Sequence, residues 1–129
     1  DPEVFAKYLH GLGHMTDDEL ALYYDYFQHM NKSARQPDKL ILLHTPDINV
    51  LLRRIAQRGR EEESGITSTF LKGLNNYYEG FAEVARAKYE LDVLVLDVTS
   101  RDIRKGEGRD WFIDQATAFF ADREQSSLF

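Results

Sequence analysis

The sequence contains no cysteine, only three prolines and no long apolar run. Without cysteine the chain has no disulfide, no thiolate metal site and no cysteine nucleophile, a composition that fits a reducing compartment such as the cytoplasm. No stretch approaches the roughly 20 apolar residues of a membrane span, and no signal-peptide pattern opens the chain. The phosphate-binding pattern Gly-x-x-x-x-Gly-Lys-Ser/Thr is also absent, so these residues encode no P-loop.

An excess of basic residues is missing as well. Lys and Arg number 16 against 22 Asp and Glu, which gives a formal net charge of −6. This balance excludes nonspecific binding to nucleic acid or to an anionic membrane, because both partners need a basic face. With 129 residues, 43% of them hydrophobic and 12% aromatic, the chain has the composition of one compact domain.

The first third of the chain is predicted to be helical. Residues 3–13 carry apolar side chains at helical spacing, and Gly13 is a stop signal. Thr16 and Glu19 then form a capping box, which predicts a second helix beginning just after Thr16. That helix has more aromatic side chains than one buried stripe needs, and we expect some of them to face a partner subunit: Tyr23, Tyr24, Tyr26 and Phe27.

Two short apolar runs, residues 39–44 and 92–98, are predicted to be strands. Neither run alternates with polar residues, so both are expected to be buried on two faces, as in a parallel sheet covered by helices. About 47 residues of helical pattern separate the two runs, which is enough for a crossover connection. The sequence therefore indicates an α/β fold, mostly helical, with a parallel sheet flanked by helices.

Three further helices are predicted around these strands. The first begins at Thr45-Pro46-Asp47, with Pro46 near its first position, and the second covers residues 68–89. A polar loop over residues 99–109 leads to the last helix, which carries Trp111.

Two parallel strands alone do not make a stable sheet. Flanking strands are therefore expected outside the sequence, and a first residue other than Met points the same way. We expect residues 1–129 to be the C-terminal part of a larger α/β domain.

Residues 53–65, Arg-Arg-Ile-Ala-Gln-Arg-Gly-Arg-Glu-Glu-Glu-Ser-Gly, concentrate four arginines and three glutamates in an acidic chain. Arg54 and Arg58 are four apart, hence on one helix face, while Gly59 ends the helix and leaves Arg60 on a mobile segment. Converging guanidinium groups suit phosphate, and ligands of α/β sheets gather at the carboxyl ends of strands. The alternative is a solvated helix end whose arginines pair with its own glutamates.

The order of these segments is itself distinctive: strand, Thr-Pro-Asp, helix, Arg-Gly-Arg-Glu-Glu-Glu-x-Gly-Ile, a long aromatic helix, then Val-Leu-Val-Leu-Asp-Val. Over nearly the whole chain it resembles the deoxynucleoside kinase family, most of all the bacterial deoxyadenosine/deoxyguanosine kinases. The resemblance implies a P-loop kinase fold and a homodimer. It also implies transfer of the γ-phosphoryl group of ATP or another nucleoside triphosphate, with Mg²⁺, to the 5′-hydroxyl of a deoxynucleoside, expected to be a purine.

On the donor side, the resemblance implies roles for five residues. Arg54, Arg58 and Arg60 match the lid arginines that contact the donor phosphates and the transferring group. Asp102 and Ile103 lie where the family's loop for the donor adenine lies. Arginines in this position would neutralise charge that spreads over the phosphoryl oxygens.

On the acceptor side, Glu63 matches the lid glutamate that holds the 3′-hydroxyl of the deoxyribose. Asp1 and Phe5 match an acid that reads the base edge and an aromatic that stacks on the base. The chemistry agrees, because a carboxylate only accepts hydrogen bonds and an aromatic face holds any base. Taken without the resemblance, Asp1 is a helix-start acid and Phe5 a core aromatic.

The sequence departs from the family where it lacks the P-loop, the acidic-Arg-Ser segment and the strand-end glutamate that serves as base. We therefore expect residues 1–129 to be the lid-containing part of one kinase domain, inactive alone, with Mg²⁺ held mainly elsewhere. Two alternatives stay open. One is the lid part of a thymidylate kinase-like nucleoside monophosphate kinase, and the other is a noncatalytic dimerisation or regulatory module derived from a kinase.

The four histidines do not form a set with metal-ligand spacing. Although two of them are four residues apart, no His-Glu-x-x-His pattern occurs. We expect all four to be solvent or core side chains: His10, His14, His29 and His44.

Overall fold

The computed structural model of the protein describes residues 2–127. It has an α/β architecture in which a small sheet is surrounded by helices. The elements, in chain order, are a π-helical turn Pro2–Ala6, α1 Lys7–Gly11, α2 Asp17–Asn31, β1 Lys39–His44, α3 Ile48–Arg58, a 3-10 turn Glu61–Glu63, α4 Ser68–Lys88, β2 Asp92–Asp97 and α5 Gly106–Ser127.

The two predicted strands are confirmed, and so is their parallel pairing. β1 and β2 lie side by side, with Lys39 opposite Asp92 and His44 opposite Asp97. The crossover between them contains α3 and α4, as the helical pattern predicted. Because the strands run in the same direction, their carboxyl ends meet at one edge of the sheet.

The expectation that both strands are buried on two faces is wrong at two positions. Leu42 and Leu96 are buried, whereas Leu43 is 43% exposed and Val95 is 42% exposed. Within residues 2–127 the sheet has only two strands, so these side chains have no third strand beside them. A continuous apolar run therefore does not by itself secure burial on both faces.

α4 is the central helix of the core. It packs on both strands, on α3 and on the π-helical turn, and it buries Leu71, Asn75, Ala82 and Ala85. Gly73 makes room on this helix for Tyr8, because a Cβ at residue 73 would collide with the tyrosine ring. The Tyr8 hydroxyl then donates a hydrogen bond to the Phe70 carbonyl at 2.8 Å. The N-terminal segment is thereby fixed against the core.

Helix boundaries follow the capping residues. Thr16 caps α2 as predicted, since its hydroxyl oxygen accepts a hydrogen bond from the Glu19 backbone N–H at 3.2 Å. Pro46, predicted near the first position of α3, lies before the cap, because Asp47 is the N-cap residue and accepts from the Asn49 N–H.

The loop predicted over residues 99–109 is shorter than expected, since α5 already begins at Gly106. Two glycines in the first turn of this helix gave it the composition of a loop. Gly108 has a packing role there, because a Cβ at residue 108 would collide with the Asp102 carbonyl. No helix in the described part of the chain is long and apolar enough to cross a bilayer.

A buried carboxylate on the π-helical turn connects that turn with α1 and with the end of α4. The side chain of Glu3 is 2% exposed and accepts hydrogen bonds from Lys7 at 2.6 Å, Lys88 at 2.6 Å and Tyr89 at 2.8 Å. Burial alone would raise the pKa of Glu3, but these donors outweigh it and lower the pKa to about 2. The network ties the π-helical turn to the end of α4.

We expect Glu3→Gln to lower the free energy of unfolding by about 2 kcal/mol at pH 7, because it leaves two lysines without their shared carboxylate. The folded-state pKa of Glu3 is below its ordinary value of 4.5. Its contribution is therefore complete above that value and is lost as the pH falls toward 2.

Urea denaturation of both proteins across this pH range measures the effect. The difference between wild type and Glu3→Gln should shrink on acidification. Glu62→Gln, which alters an exposed glutamate, serves as the control and should change stability by less than about 0.5 kcal/mol. A difference that is independent of pH would contradict the assignment.

Candidate functional site

Arg54 lies where the carboxyl ends of the two strands meet. Its Nη1 donates to the Thr45 hydroxyl oxygen at 3.1 Å, just after β1. Its Nη2 donates to the carbonyls of Val98 at 2.6 Å, Thr99 at 3.0 Å and Arg101 at 3.4 Å, just after β2. One guanidinium thus links both strand ends and the loop that follows β2.

A cleft of about 610 Å³ opens beside this guanidinium, between α3 and the loop after β2. Apolar parts of its wall come from the sheet edge, including Leu43 and Val98. Asp102 and Ile103, which the resemblance placed near the donor base, both line it. Five arginines line it as well: Arg53, Arg54, Arg58, Arg101 and Arg104. The cleft is therefore strongly basic although the chain as a whole is acidic.

The loop after β2 is internally braced. Asp102 accepts hydrogen bonds from the Arg104 backbone N–H at 3.0 Å and from its Nε and Nη2, both at 2.9 Å. These bonds hold the pKa of Asp102 well below its usual range, so the carboxylate is ionised at neutral pH. Arg101 lies over the Trp111 ring at 3.9 Å from the ring centroid and connects the loop to α5.

At the end of α3, Arg58 and Glu63 form a bidentate ion pair. Arg58 Nε donates to Glu63 Oε1 at 3.0 Å, and Nη2 donates to Oε2. Gly59, left-handed with φ 68°, ends the helix between them and turns the chain back, as its position predicted. For Arg58 and Glu63 the structure shows the alternative reading, in which an arginine of the segment 53–65 pairs with a glutamate of the same segment.

Arg60 is the most exposed of the three arginines that the resemblance assigned to a lid. Its side chain is 59% exposed, and its Nε lies 3.9 Å from Glu63 Oε1. It does not line the basic cleft, whereas Arg54 and Arg58 do. The structure therefore brings two of the three predicted arginines to one cleft and leaves the third beside it, near Glu63.

Phe5 lies on the π-helical turn, a type of turn that is frequent at functional sites. It is 44% exposed although Val4 and Ala6 beside it are buried, so Phe5 is not a core aromatic here. Its ring meets the Tyr78 ring edge to face, with 6.3 Å between centroids. Asp1, the predicted base-reading acid, lies outside the described residues.

Two of the four histidines lie beside acids. His10 Nε2 lies 2.6 Å from an Asp17 oxygen, and His44 Nε2 lies 3.6 Å from a Glu79 oxygen. Among the side chains that the structure describes, those of residues 2–121, no three His, Asp or Glu come together as a metal site.

Known proteins resemble this chain in sequence and in fold. A sequence model of the deoxynucleoside kinase family matches residues 1–120. The chain belongs to the deoxynucleoside kinase family. The resemblance read from its motifs is confirmed.

Two relatives show how much of such a kinase is present. The chain is 28% identical to deoxycytidine kinase 2 of Gallus gallus in an alignment 128 positions long, which covers 92% of this chain and 48% of that protein. It is 32% identical to deoxyadenosine kinase of Dictyostelium discoideum over 84 residues, which are 64% of this chain and 34% of that protein. The chain therefore spans half or less of the length of these curated relatives.

The fold of the chain matches a solved structure as well. Deoxyadenosine kinase from M. mycoides with bound dCTP superposes with a TM-score of 0.70 and is 21% identical, over 91% of this chain and 59% of that structure. At that identity the match shows the shared fold, which agrees with the predicted α/β class.

The sequence analysis included Arg53 in the segment 53–65 without giving it a role, and it missed two further arginines of the cleft: Arg101 and Arg104. The latter two lie on the loop after β2, which was treated only as a polar connection apart from Asp102 and Ile103. The parallel strands offered a signal, since the segments after β1 and β2 must meet at one edge. Counting basic residues in both segments would have predicted the cleft.

If Arg58 binds phosphate, Glu63 and the phosphate compete for its guanidinium group. We expect Glu63→Gln to raise the affinity for inorganic tripolyphosphate about threefold, because Arg58 loses an internal partner worth up to about 1 kcal/mol. Isothermal titration calorimetry measures the affinity. Glu62→Gln on the same turn changes the net charge equally, so an equal rise in both variants would contradict a specific role for the pair.

Proposed function

We propose that the protein to which this chain belongs transfers the γ-phosphoryl group of ATP, or another nucleoside triphosphate, to the 5′-hydroxyl of a deoxynucleoside. The observation that carries the proposal is the arginine-lined cleft at the carboxyl ends of two parallel strands, in a chain of this family. Planar guanidinium groups match phosphate oxygens, and the strand ends are where α/β folds hold ligands.

In this proposal Arg58 and Arg60 contact the donor phosphates and the transferring group. As the bond from the 5′-oxygen to phosphorus forms and the bond to the leaving diphosphate breaks, negative charge spreads over the phosphoryl oxygens. Guanidinium groups already in place stabilise that charge without reorganisation. Arg54, which the resemblance groups with them, lies deeper, against the strand ends.

We propose that a second set of residues holds the acceptor deoxynucleoside. Glu63 accepts a hydrogen bond from the 3′-hydroxyl of the deoxyribose, Phe5 stacks on the base and Asp1 accepts from the base edge. The exposed face of Phe5 supports this role, because a ring buried in the core could not meet a ligand. The Arg58–Glu63 pair has to open when both substrates bind, so we assign the paired arrangement to the ligand-free protein.

We infer that the preferred acceptor is a purine deoxynucleoside. The bacterial deoxyadenosine/deoxyguanosine kinases that the motifs resemble support this inference, and so does the name of the Dictyostelium discoideum relative, deoxyadenosine kinase. The Gallus gallus relative is named for deoxycytidine. The donor is proposed to be ATP with Mg²⁺, whose charge assists at the phosphates. We propose that the metal is held mainly by parts of the protein outside residues 1–129.

We further propose that residues 1–129 do not phosphorylate deoxynucleosides alone, because the sequence contains no Gly-x-x-x-x-Gly-Lys-Ser/Thr loop. Membership of the deoxynucleoside kinase family favours this function over a thymidylate kinase-like one. A noncatalytic module would also lack the loop, and it is distinguished by a cleft that binds no triphosphate. The absence of cysteine supports a cytoplasmic location.

The phosphate role of Arg58 is tested by substitution. We expect Arg58→Ala to weaken ATP binding by the chain at least tenfold, the effect of losing one charge-assisted phosphate contact of about 1.5 kcal/mol or more. Calorimetric titration measures it, with Arg35→Ala as a control that removes an exposed arginine away from the cleft. Unchanged ATP affinity in Arg58→Ala would overturn the assignment, and deoxynucleoside phosphorylation by the purified chain would overturn the proposed inactivity.

We also propose that the protein is a homodimer and that α2 faces the second copy. Leu22, Tyr26 and Met30 on this helix are each more than half exposed. Acidic residues occupy its first turn, and basic residues follow its end: Lys32 and Arg35. Two copies of α2 packed antiparallel would therefore bring opposite charges together around an apolar centre.

Tyr26→Asp tests the dimer, because a charge at the centre of an apolar interface is costly to desolvate. We expect a dimer of the wild-type chain in analytical ultracentrifugation and a monomer for this variant. Thr117→Asp, at an exposed position on α5, should leave the dimer intact. A wild-type chain that is monomeric at every concentration would contradict the proposal.

A further inference from the structure

The guanidinium of Arg54 uses both of its terminal nitrogens on the protein itself. Nη1 is bonded to the Thr45 hydroxyl, and Nη2 is shared by the carbonyls of Val98, Thr99 and Arg101. A guanidinium binds phosphate best through a fork of two parallel N–H groups. Turning that fork toward a phosphate would break its bonds to a strand end whose Val98 is only 7% exposed.

Thr45, the partner of Arg54 after β1, is fixed in the core. Thr45 is 6% exposed, and its own carbonyl accepts a hydrogen bond from the Asn75 side chain at 3.2 Å. Asn75 is 9% exposed and belongs to α4, the central helix. Arg54 is therefore connected, through Thr45, to a rigid part of the molecule.

The other partners of Arg54 belong to the loop after β2, which forms one wall of the cleft. Its first residues give Arg54 their carbonyls, and Asp102 and Ile103 follow directly and line the cleft. Stacking of Arg101 on Trp111 and the close approach of Gly108 to the Asp102 carbonyl fix the loop from the side of α5. Arg54 supplies the fixation from the side of the strands.

We propose that Arg54 is a positioning residue that holds residues 98–102 in place, so that the loop presents Asp102 and Ile103 to the base of the nucleoside triphosphate. Arg54 is then not itself a phosphate ligand. The proposal rests on the proposed function for the identity of the ligand. It predicts that Arg54 affects recognition of the base and leaves recognition of the phosphates nearly unchanged.

Two probes separate these effects: ATP, which has a base, and inorganic tripolyphosphate, which has none. Arg54→Lys keeps the charge but cannot reach four acceptors with one ammonium group. We expect it to weaken ATP binding by the chain about tenfold and tripolyphosphate binding by less than about twofold. Thr45→Val, which removes the anchor and lies outside the cleft lining, should show the same split.

The matched control is Arg86→Lys. Arg86 also donates to a backbone carbonyl of β2, that of Val93 at 3.0 Å, but it does so from α4 at the opposite end of the strand. We expect this variant to bind both probes as the wild type does. An equal loss of ATP and tripolyphosphate binding in Arg54→Lys would overturn the positioning role, as would unchanged ATP binding in that variant.

Amide hydrogen exchange tests the positioning role of Arg54 without a ligand, and therefore independently of the proposed function. In the ligand-free chain, residues 98–104 should exchange at least about tenfold faster in Arg54→Lys and at the wild-type rate in Arg86→Lys. If the wild-type chain binds neither probe, the proposed function fails, and the exchange result alone decides whether Arg54 positions the loop. Equal exchange in all three proteins overturns the inference.

Discussion

The bonds between Arg54 and the two strand ends organise the basic edge of the structure. A two-stranded parallel sheet has its ligand-binding edge where both strands stop, and the segments that leave this edge have no ladder to hold them. In this chain one guanidinium joins the residue after β1 to three carbonyls after β2. The loop that bears Asp102 leaves the sheet at that junction and lines the cleft.

Positive charge is concentrated at the same edge of the structure. The chain carries a net charge of −6, yet five arginines surround one cleft and two acids neutralise part of their charge locally. Glu63 pairs with Arg58, and Asp102 pairs with Arg104. A protein can thereby attract a triphosphate to one place without a generally basic surface that would bind nucleic acid. The two internal pairs differ in their role. Asp102 braces a loop, whereas Glu63 pairs with Arg58, an arginine that we propose to bind phosphate.

Sequence patterns predicted the parts of the fold that depend on local chemistry. The two strands, the Thr16 cap and the turn at Gly59 follow from apolar runs, hydroxyl capping and left-handed glycine. What the patterns missed depends on tertiary contacts. Three of the four acceptors of Arg54 lie 44 to 47 positions away in the chain, and Phe5 is exposed between the buried Val4 and Ala6 on a π-helical turn. The start of α5 was missed because its two glycines, one of them needed for packing, looked like a loop.

Triphosphate binding in the arginine-lined cleft at the strand ends can be measured by amide hydrogen exchange of the chain with and without saturating ATP. We expect slower exchange in residues 98–104 and 58–63, both of which contribute residues to the cleft wall, and no change in α2. Unchanged exchange in both segments, or protection confined to α2, would contradict it.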